Sequence, residues 1–153
     1  TLNGSGQITA RVTGLDPTDE WAKVGIMIRE TLAPNARHVS LFLSASNGVA
    51  FQRRTTTGGV SEHTAGANVG APTWLRLVRK GTRVTAYGSP DGVTWTQVGA
   101  PVTLSDLNSS VFIGLAVTSH NTDAVCAATY TNVSVKLGTR PQALALGGIR
   151  SQK

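Results

Sequence analysis

Apolar and polar residues alternate with a period of two along most of the chain. No stretch of a dozen residues follows the 3.6-residue repeat of a helix. Gln7 to Thr13 sets Ile8, Ala10 and Val12 on one side. Lys23 to Arg29 turns Val24, Ile26 and Ile28 inward and leaves Met27 and Arg29 outward. His38 to Ser44 turns Val39, Leu41 and Leu43 inward, with His38, Ser40 and Phe42 on the other face. Gly48 to Arg54 follows Ser46-Asn47-Gly48, a hairpin signal because Asn and Gly accept positive φ. Trp74 to Lys80 carries Leu75 and Leu77 on one face, and Lys80-Gly81 turns into Arg83 to Gly88. Ser89-Pro90-Asp91-Gly92 turns into Thr94 to Val98, and Val111 to Thr118 and Val125 to Val135 follow.

This pattern predicts about nine or ten short strands joined by Gly, Pro, Asn and Ser turns. The expected fold is an all-β, antiparallel two-sheet sandwich over residues 1–135. Thr55 to Ala71, rich in Gly, Thr and Ala, reads as a long loop holding at most one short strand. Residues 136–153 change character. Lys136 to Pro141 reads as a linker, and Gln142 to Ile149 has an alternation that permits one added strand. The 153 residues suit one domain with one core.

Charge adds one constraint. Fourteen Lys and Arg against eight Asp and Glu give a net +6. The cations are scattered, with Arg53-Arg54 and Arg79-Lys80 the only adjacent pairs, so the pattern favours an anionic polymer or plain solubility over nucleic acid. No apolar run approaches the length that spans a bilayer, which argues against membrane insertion, and no signal peptide is visible. The single cysteine, Cys126, excludes an intrachain disulfide. Its apolar setting reads as a small buried core residue.

Several segments then resemble the laminin-G-like, concanavalin-type sandwich modules of bacterial secreted proteins. They are Gly6 to Val12, Trp21 to Glu30, Asn47 to Arg54, Trp74 to Leu77, Ser89 to Trp95 and Gly114 to His120, in that order. The resemblance implies a jelly-roll, concanavalin-like sandwich and an extracellular or cell-surface location. Such modules usually begin with further strands, whereas this chain starts almost at the Gly-Gln-Ile-Thr-Ala-Arg-Val segment. The expectation is that Gln142 to Ile149, from this chain or a neighbouring copy, fills the edge.

Catalysis finds little support in the residues. Glycosidic hydrolysis uses two carboxylates held roughly 5 to 10 Å apart. Glu20, Glu30 and Glu62 offer no such pair on one strand, and His38, His63 and His120 have no neighbouring nucleophile motif. The expectation is therefore a module that is not an enzyme and needs no cofactor. Asp16, Asp19 and Glu20 leave room for a structural calcium, though turn chemistry explains Asp16 and Asp19 more cheaply. Asp91 resembles the aspartate of a shortened Asp-box hairpin, a structural role. The outward positions gather Arg29, His38, Gln52, Arg54 and Arg76, expected on one sheet face, where they could bond carboxylates or vicinal hydroxyls. Trp21 is expected to stack on a sugar ring and His120 to touch the rim, while Trp74 and Trp95 are expected in the core. The function expected is non-catalytic binding of a polysaccharide or other glycan. The alternative is a structural or assembly subunit, a surface, adhesion or filament protein, that self-associates through a sheet edge.

Overall fold

The computed structural model describes residues 1–138, and these form twelve strands and no helix. The strands are β1 (Leu2–Asn3), β2 (Gly6–Leu15), β3 (Lys23–Arg29), β4 (His38–Ser44), β5 (Val49–Arg54) and β6 (Glu62–Ala65), then β7 (Thr73–Lys80), β8 (Arg83–Ser89), β9 (Thr96–Gln97), β10 (Val102–Thr103), β11 (Ser110–Thr118) and β12 (Ala128–Leu137). They assemble into two antiparallel sheets. The first runs β1-β11-β3-β4-β5-β6, and the second β10-β8-β7-β2-β12 with β9 beside β8. The all-β sandwich read from the alternation is the fold observed.

Sequence explains the strands one by one. β3 and β4 are dense in Val, Ile and Leu, which suit a pleated surface. Their inward residues pair across the first sheet, Val24 with Leu43, Ile26 with Leu41 and Ile28 with Val39. On the second sheet Ile8, Ala10, Val12, Leu75 and Leu77 face them, and all are buried. Gly48 closes the β4–β5 hairpin at φ 65°, and a side chain there would strike the carbonyl of Ala67. In the β8–β9 hairpin the Asp91 carboxylate accepts bonds from the amides of Val93 and Thr94 at 2.8 and 2.7 Å and from the Ser89 hydroxyl at 2.9 Å. These donors hold its pKa down at about 2, so Asp91 caps its own turn as expected.

Arg79 breaks the apolar rule on the inner face of β7. It is only 2% exposed, and no carboxylate meets it. Instead its guanidinium donates to the carbonyls of Gly81 at 2.8 Å, Ser109 at 3.0 Å and Asn108 at 2.6 Å. The β7–β8 turn in one sheet is thereby bonded to the residues that start β11 in the other. Gly4 N–H adds a bond to the same Ser109 carbonyl at 2.8 Å.

The opposite side of the sandwich is held differently. Among the described residues, β11 beyond Val111 has a neighbour only in β3, and β12 has one only in β2. Register places Leu115, Val117, Val135 and Leu137 toward the interior, yet they remain 46%, 52%, 47% and 70% exposed. Tyr130 bridges this seam. Its hydroxyl accepts from Gly25 N–H at 3.0 Å and lies 2.8 Å from the Ala116 carbonyl and 3.0 Å from that of Gly25.

The structure departs from expectation in some places. β1 and β10 are two-residue bridges that the alternation did not announce, and β12 starts at Ala128 rather than Val125. Cys126 is not in the core. It sits half-buried in the loop before β12, its thiol 3.4 Å from the Asp16 carbonyl, because its apolar neighbour Val125 points to solvent. The strand expected over residues 142–149 lies outside the described residues.

Arg79→Met should cost about 2–3 kcal/mol, since the Gly81 and Asn108 carbonyls lose this donor and the Ser109 carbonyl keeps only Gly4 N–H. Urea denaturation checks this, and a loss within 1 kcal/mol would refute the clamp.

Candidate functional site

Cross-strand register sorts the outward residues of the first sheet into rows. One row runs Phe112, Arg29, His38, Arg54. The next runs Gly114, Met27, Ser40, Gln52, His63. A third runs Ala116, Gly25, Phe42, Ala50, Ala65, and a fourth Thr118, Lys23, Ser44. Small residues dominate the centre and larger ones the margins. The result is a cleft of about 580 Å³ lined by residues including Lys23, Met27, Arg29, His38, Phe42, Gln52, Ser61 and Phe112. No Asp or Glu lines it.

Four of the expected residues do meet here: Arg29, His38, Gln52 and Arg54. Their chemistry differs from expectation. Arg29 spends its donors on the carbonyls of Thr31 and Ala33, and Arg54 on that of Pro34 at 2.8 Å. The two guanidiniums therefore hold the β3–β4 loop. The same loop is tied at its base by the Glu30–Arg37 ion pair, which lowers the Glu30 pKa. The Arg54 Nε remains buried without a partner. His38 lies between these two cations, with its Nδ1 3.0 Å from the Ser40 hydroxyl. Burial first, then repulsion from Arg54 and Arg29, push its pKa down to about 4. It is a neutral imidazole at neutral pH.

Trp21 closes one end of this face. The order β3-β4-β5-β6 puts His63 three strands away from the start of β3. Trp21 nonetheless meets the His63 ring edge-on at 5.6 Å, so the segment before β3 folds back across the sheet. Lys23 lies under it, 5.6 Å from the indole centroid, and burial lowers its pKa. Trp21 is thus half-buried and engaged by His63 and Lys23, and it does not line the cleft.

The other two candidates lie elsewhere. Arg76 belongs to β7 in the second sheet and points away from the cleft, so it does not join Arg29 and Arg54 as expected. Its guanidinium stacks 3.6 Å from the Trp95 ring, and Nε donates to Thr9 Oγ1 at 3.2 Å. Trp74 and Trp95 are not core residues either. Both are half-buried on the outer face of the second sheet: Trp74 because Leu75 and Leu77 take the inner positions of β7, and Trp95 because the connection before β9 lays it against Arg76. His120 sits on the loop after β11 with φ 52°, and its Nδ1 lies 3.0 Å from Asp19 Oδ1. That carboxylate also accepts from Trp21 N–H at 2.7 Å, and Asp16 accepts from Ala127 N–H at 3.0 Å. Among the described residues no three of His, Cys, Asp and Glu converge on a point that could hold a metal.

Phe112, Lys23 and His63 were not singled out from the sequence. Phe112 was legible in principle, since it alternates with the buried Val111. Apolar residues at both parities of β11 hide that signal.

No model of a known protein family matches this sequence, and no curated protein is similar to it. Solved structures do share the fold. A functionally unknown protein from Saccharomyces cerevisiae is 17% identical with a TM-score of 0.69, covering 90% of this chain and 72% of its own. A variant of the GH43 protein BlXynB from Bacillus licheniformis is 15% identical with a TM-score of 0.63, over 82% of this chain and 26% of its own. The xylan beta-1,4-xylosidase of Bacillus halodurans is 16% identical with a TM-score of 0.59, over 86% and 27%. The chain spans about a quarter of the length of these two Bacillus proteins. At these identities the likeness is one of fold.

The His38 arrangement has a signed pH consequence. Between about pH 6.5 and 4 the unfolded chain takes up a proton that folded His38 refuses, so stability should fall as pH drops through that window. The lowered carboxylates Glu30, Asp19 and Asp91 begin to lose their contribution only as pH falls below about 4.5, at the bottom of that window. His38→Gln should flatten the decline between pH 6.5 and 4. Thermal melts across that range check it, and parallel curves for the two proteins would contradict it.

Proposed function

We propose that this chain is a non-catalytic glycan-binding module of the laminin-G-like kind, carried by a secreted or cell-surface protein, that receives a polysaccharide in the cleft of its first sheet. The observation that carries this reading is the cleft itself. It is open along its length and walled by Phe42, Met27 and Phe112, with the Gln52 amide, the neutral His38 and the Lys23 ammonium among its lining. Apolar surface with a few placed polar groups is what a sugar chain needs. A lining without carboxylates supports binding over glycosidic hydrolysis. The fold is shared with parts of two proteins described as a GH43 protein and a xylan xylosidase, which supports a carbohydrate setting. Gln52 and the rim aromatics carry the contact, while Arg29 and Arg54 shape the rim by holding its loop.

Phe112→Ala and Gln52→Ala should each weaken binding about tenfold, the scale of one lost stacking or hydrogen-bond contact. Affinity electrophoresis against soluble arabinoxylan and a panel of neutral polysaccharides reads this. Unchanged mobility of the parent protein in every polysaccharide would reject the proposal.

A second reading, self-association along a sheet edge, is favoured by the open seam, where Leu115, Val117 and Leu137 are exposed. Light scattering after size exclusion decides it. A concentration-dependent dimer that Val117→Lys abolishes is expected on that reading, and a monomer at all concentrations removes it.

A further inference from the structure

The second sheet has an outer face of its own, and its composition is one-sided. None of its six strands contains an Asp or Glu. Register sets five cations outward on it: Arg11, Arg76, Lys80, Arg83 and Lys136. None of them enters a salt bridge among the described residues. The carboxylates that follow its strands β2 and β8 in sequence, Asp16 and Asp91, are engaged by backbone amides of Ala127 and of Val93 and Thr94. Five of the eleven Lys and Arg side chains among the described residues are thus displayed here. This contrasts with the first sheet, where the arginines are consumed by loop carbonyls.

The face also has a built centre. Thr9 pairs with Arg76, and Arg11 with Trp74, in adjacent rows. Across two strands and one row their guanidiniums start from Cα atoms roughly 7–8 Å apart. Arg76 sits over Trp95 at 3.6 Å and donates through Nε to Thr9 Oγ1, while its terminal nitrogens make no hydrogen bond among the described residues. Arg11 Nε is buried with no hydrogen-bond partner, an orphaned donor beside Trp74. A depression of about 320 Å³, with Arg11 beside it rather than in its lining, joins Thr9, Trp74, Arg76 and Trp95 to Gln7, Asn132 and Lys136.

We infer that this face binds an acidic polysaccharide, its carboxylates meeting Arg76 and Arg11 and its hydroxyls the Gln7 and Asn132 amides. The inference takes the glycan class from the proposed function but places the contact on a different sheet. A planar guanidinium matches a carboxylate bidentately. Fixed amide and hydroxyl groups beside it suit sugar hydroxyls. Nucleic acid fits less well. Trp95 already carries Arg76 on one face, which removes a stacking platform for bases, and a flat sheet has no element to enter a duplex groove.

The test uses the 153-residue protein with polygalacturonate, its fully methyl-esterified form, and a single-stranded oligonucleotide. Titration calorimetry at low salt should show binding to polygalacturonate, loss on esterification, and weaker binding to the oligonucleotide. Arg76→Gln should weaken polygalacturonate binding about tenfold, one charge-assisted contact. The pair Arg83→Gln with Lys136→Gln, both exposed, gives a second reading if Arg76→Gln fails to fold, and should weaken it by a similar factor. Gln52→Ala in the cleft should leave it unchanged. Three results overturn the inference: equal affinity for the esterified polymer, preference for the oligonucleotide, or loss with Gln52→Ala but not with the cation variants. The last would leave the cleft as the glycan site. Retained polygalacturonate binding without any neutral-glycan binding would instead reject the cleft and keep this face.

Discussion

One buried guanidinium joins the two halves of this molecule. A β-sandwich is held mainly by apolar contact between its sheets, and such contact is tolerant of sliding. Arg79 removes that tolerance at one end. Its three carbonyl acceptors are directional and come from the β7–β8 turn and the residues that begin β11. Where β11 begins determines what it places opposite β3. A shift of one residue would turn Phe112 inward and Val111 outward. The cleft on the first sheet therefore depends on a residue of the second sheet that never touches it.

The two outer faces differ for reasons that lie in their connections. On the first sheet, the β3–β4 loop curls back and takes the donors of Arg29 and Arg54, and the segment before β3 brings Trp21 across to His63. Loops thus roof the margins and leave an apolar-walled trough between them. On the second sheet the connections are tight. The Asp91 hairpin bonds its own turn and lays only Trp95 and Gly92 against Arg76 and Trp74, leaving the rest of the outer face uncovered. Its cations keep their solvent-facing donors.

Much of this was legible in the alternation. The faces of β3, β4 and β5 follow directly from Val24, Val39 and Val49, and so Arg29, His38, Gln52 and Arg54 were placed together. Arg76 was misplaced because alternation gives a residue's face within its strand but not the sheet that strand joins. The chain changes sheets across residues 66–72, a stretch whose Gly, Ala and Asn content marks only a loop. Trp74 went astray for a different reason. Its size suggests burial, yet Leu75 and Leu77 had already claimed the inner parity of β7. Parity was the stronger constraint, and it wins in the structure. Cys126 shows the limit of reading short apolar runs, since a run of small residues in a loop has no neighbouring strand to bury it.

Tyr130 gives the sandwich an asymmetry of motion. At the Arg79 end, separating the sheets breaks two charge-assisted bonds at once, those to the Asn108 and Ser109 carbonyls. At the seam the sheets are linked through a single hydroxyl that spans Gly25 and Ala116, with half-wetted aliphatic side chains around it. Water already reaches those side chains, so opening there exposes little that is dry. The molecule is hinged like a book, bound along one spine and fastened by one clasp at the fore-edge. Thermal excursions begin at the clasp, and the strand they loosen first, β11, is the one that forms the wall of the cleft.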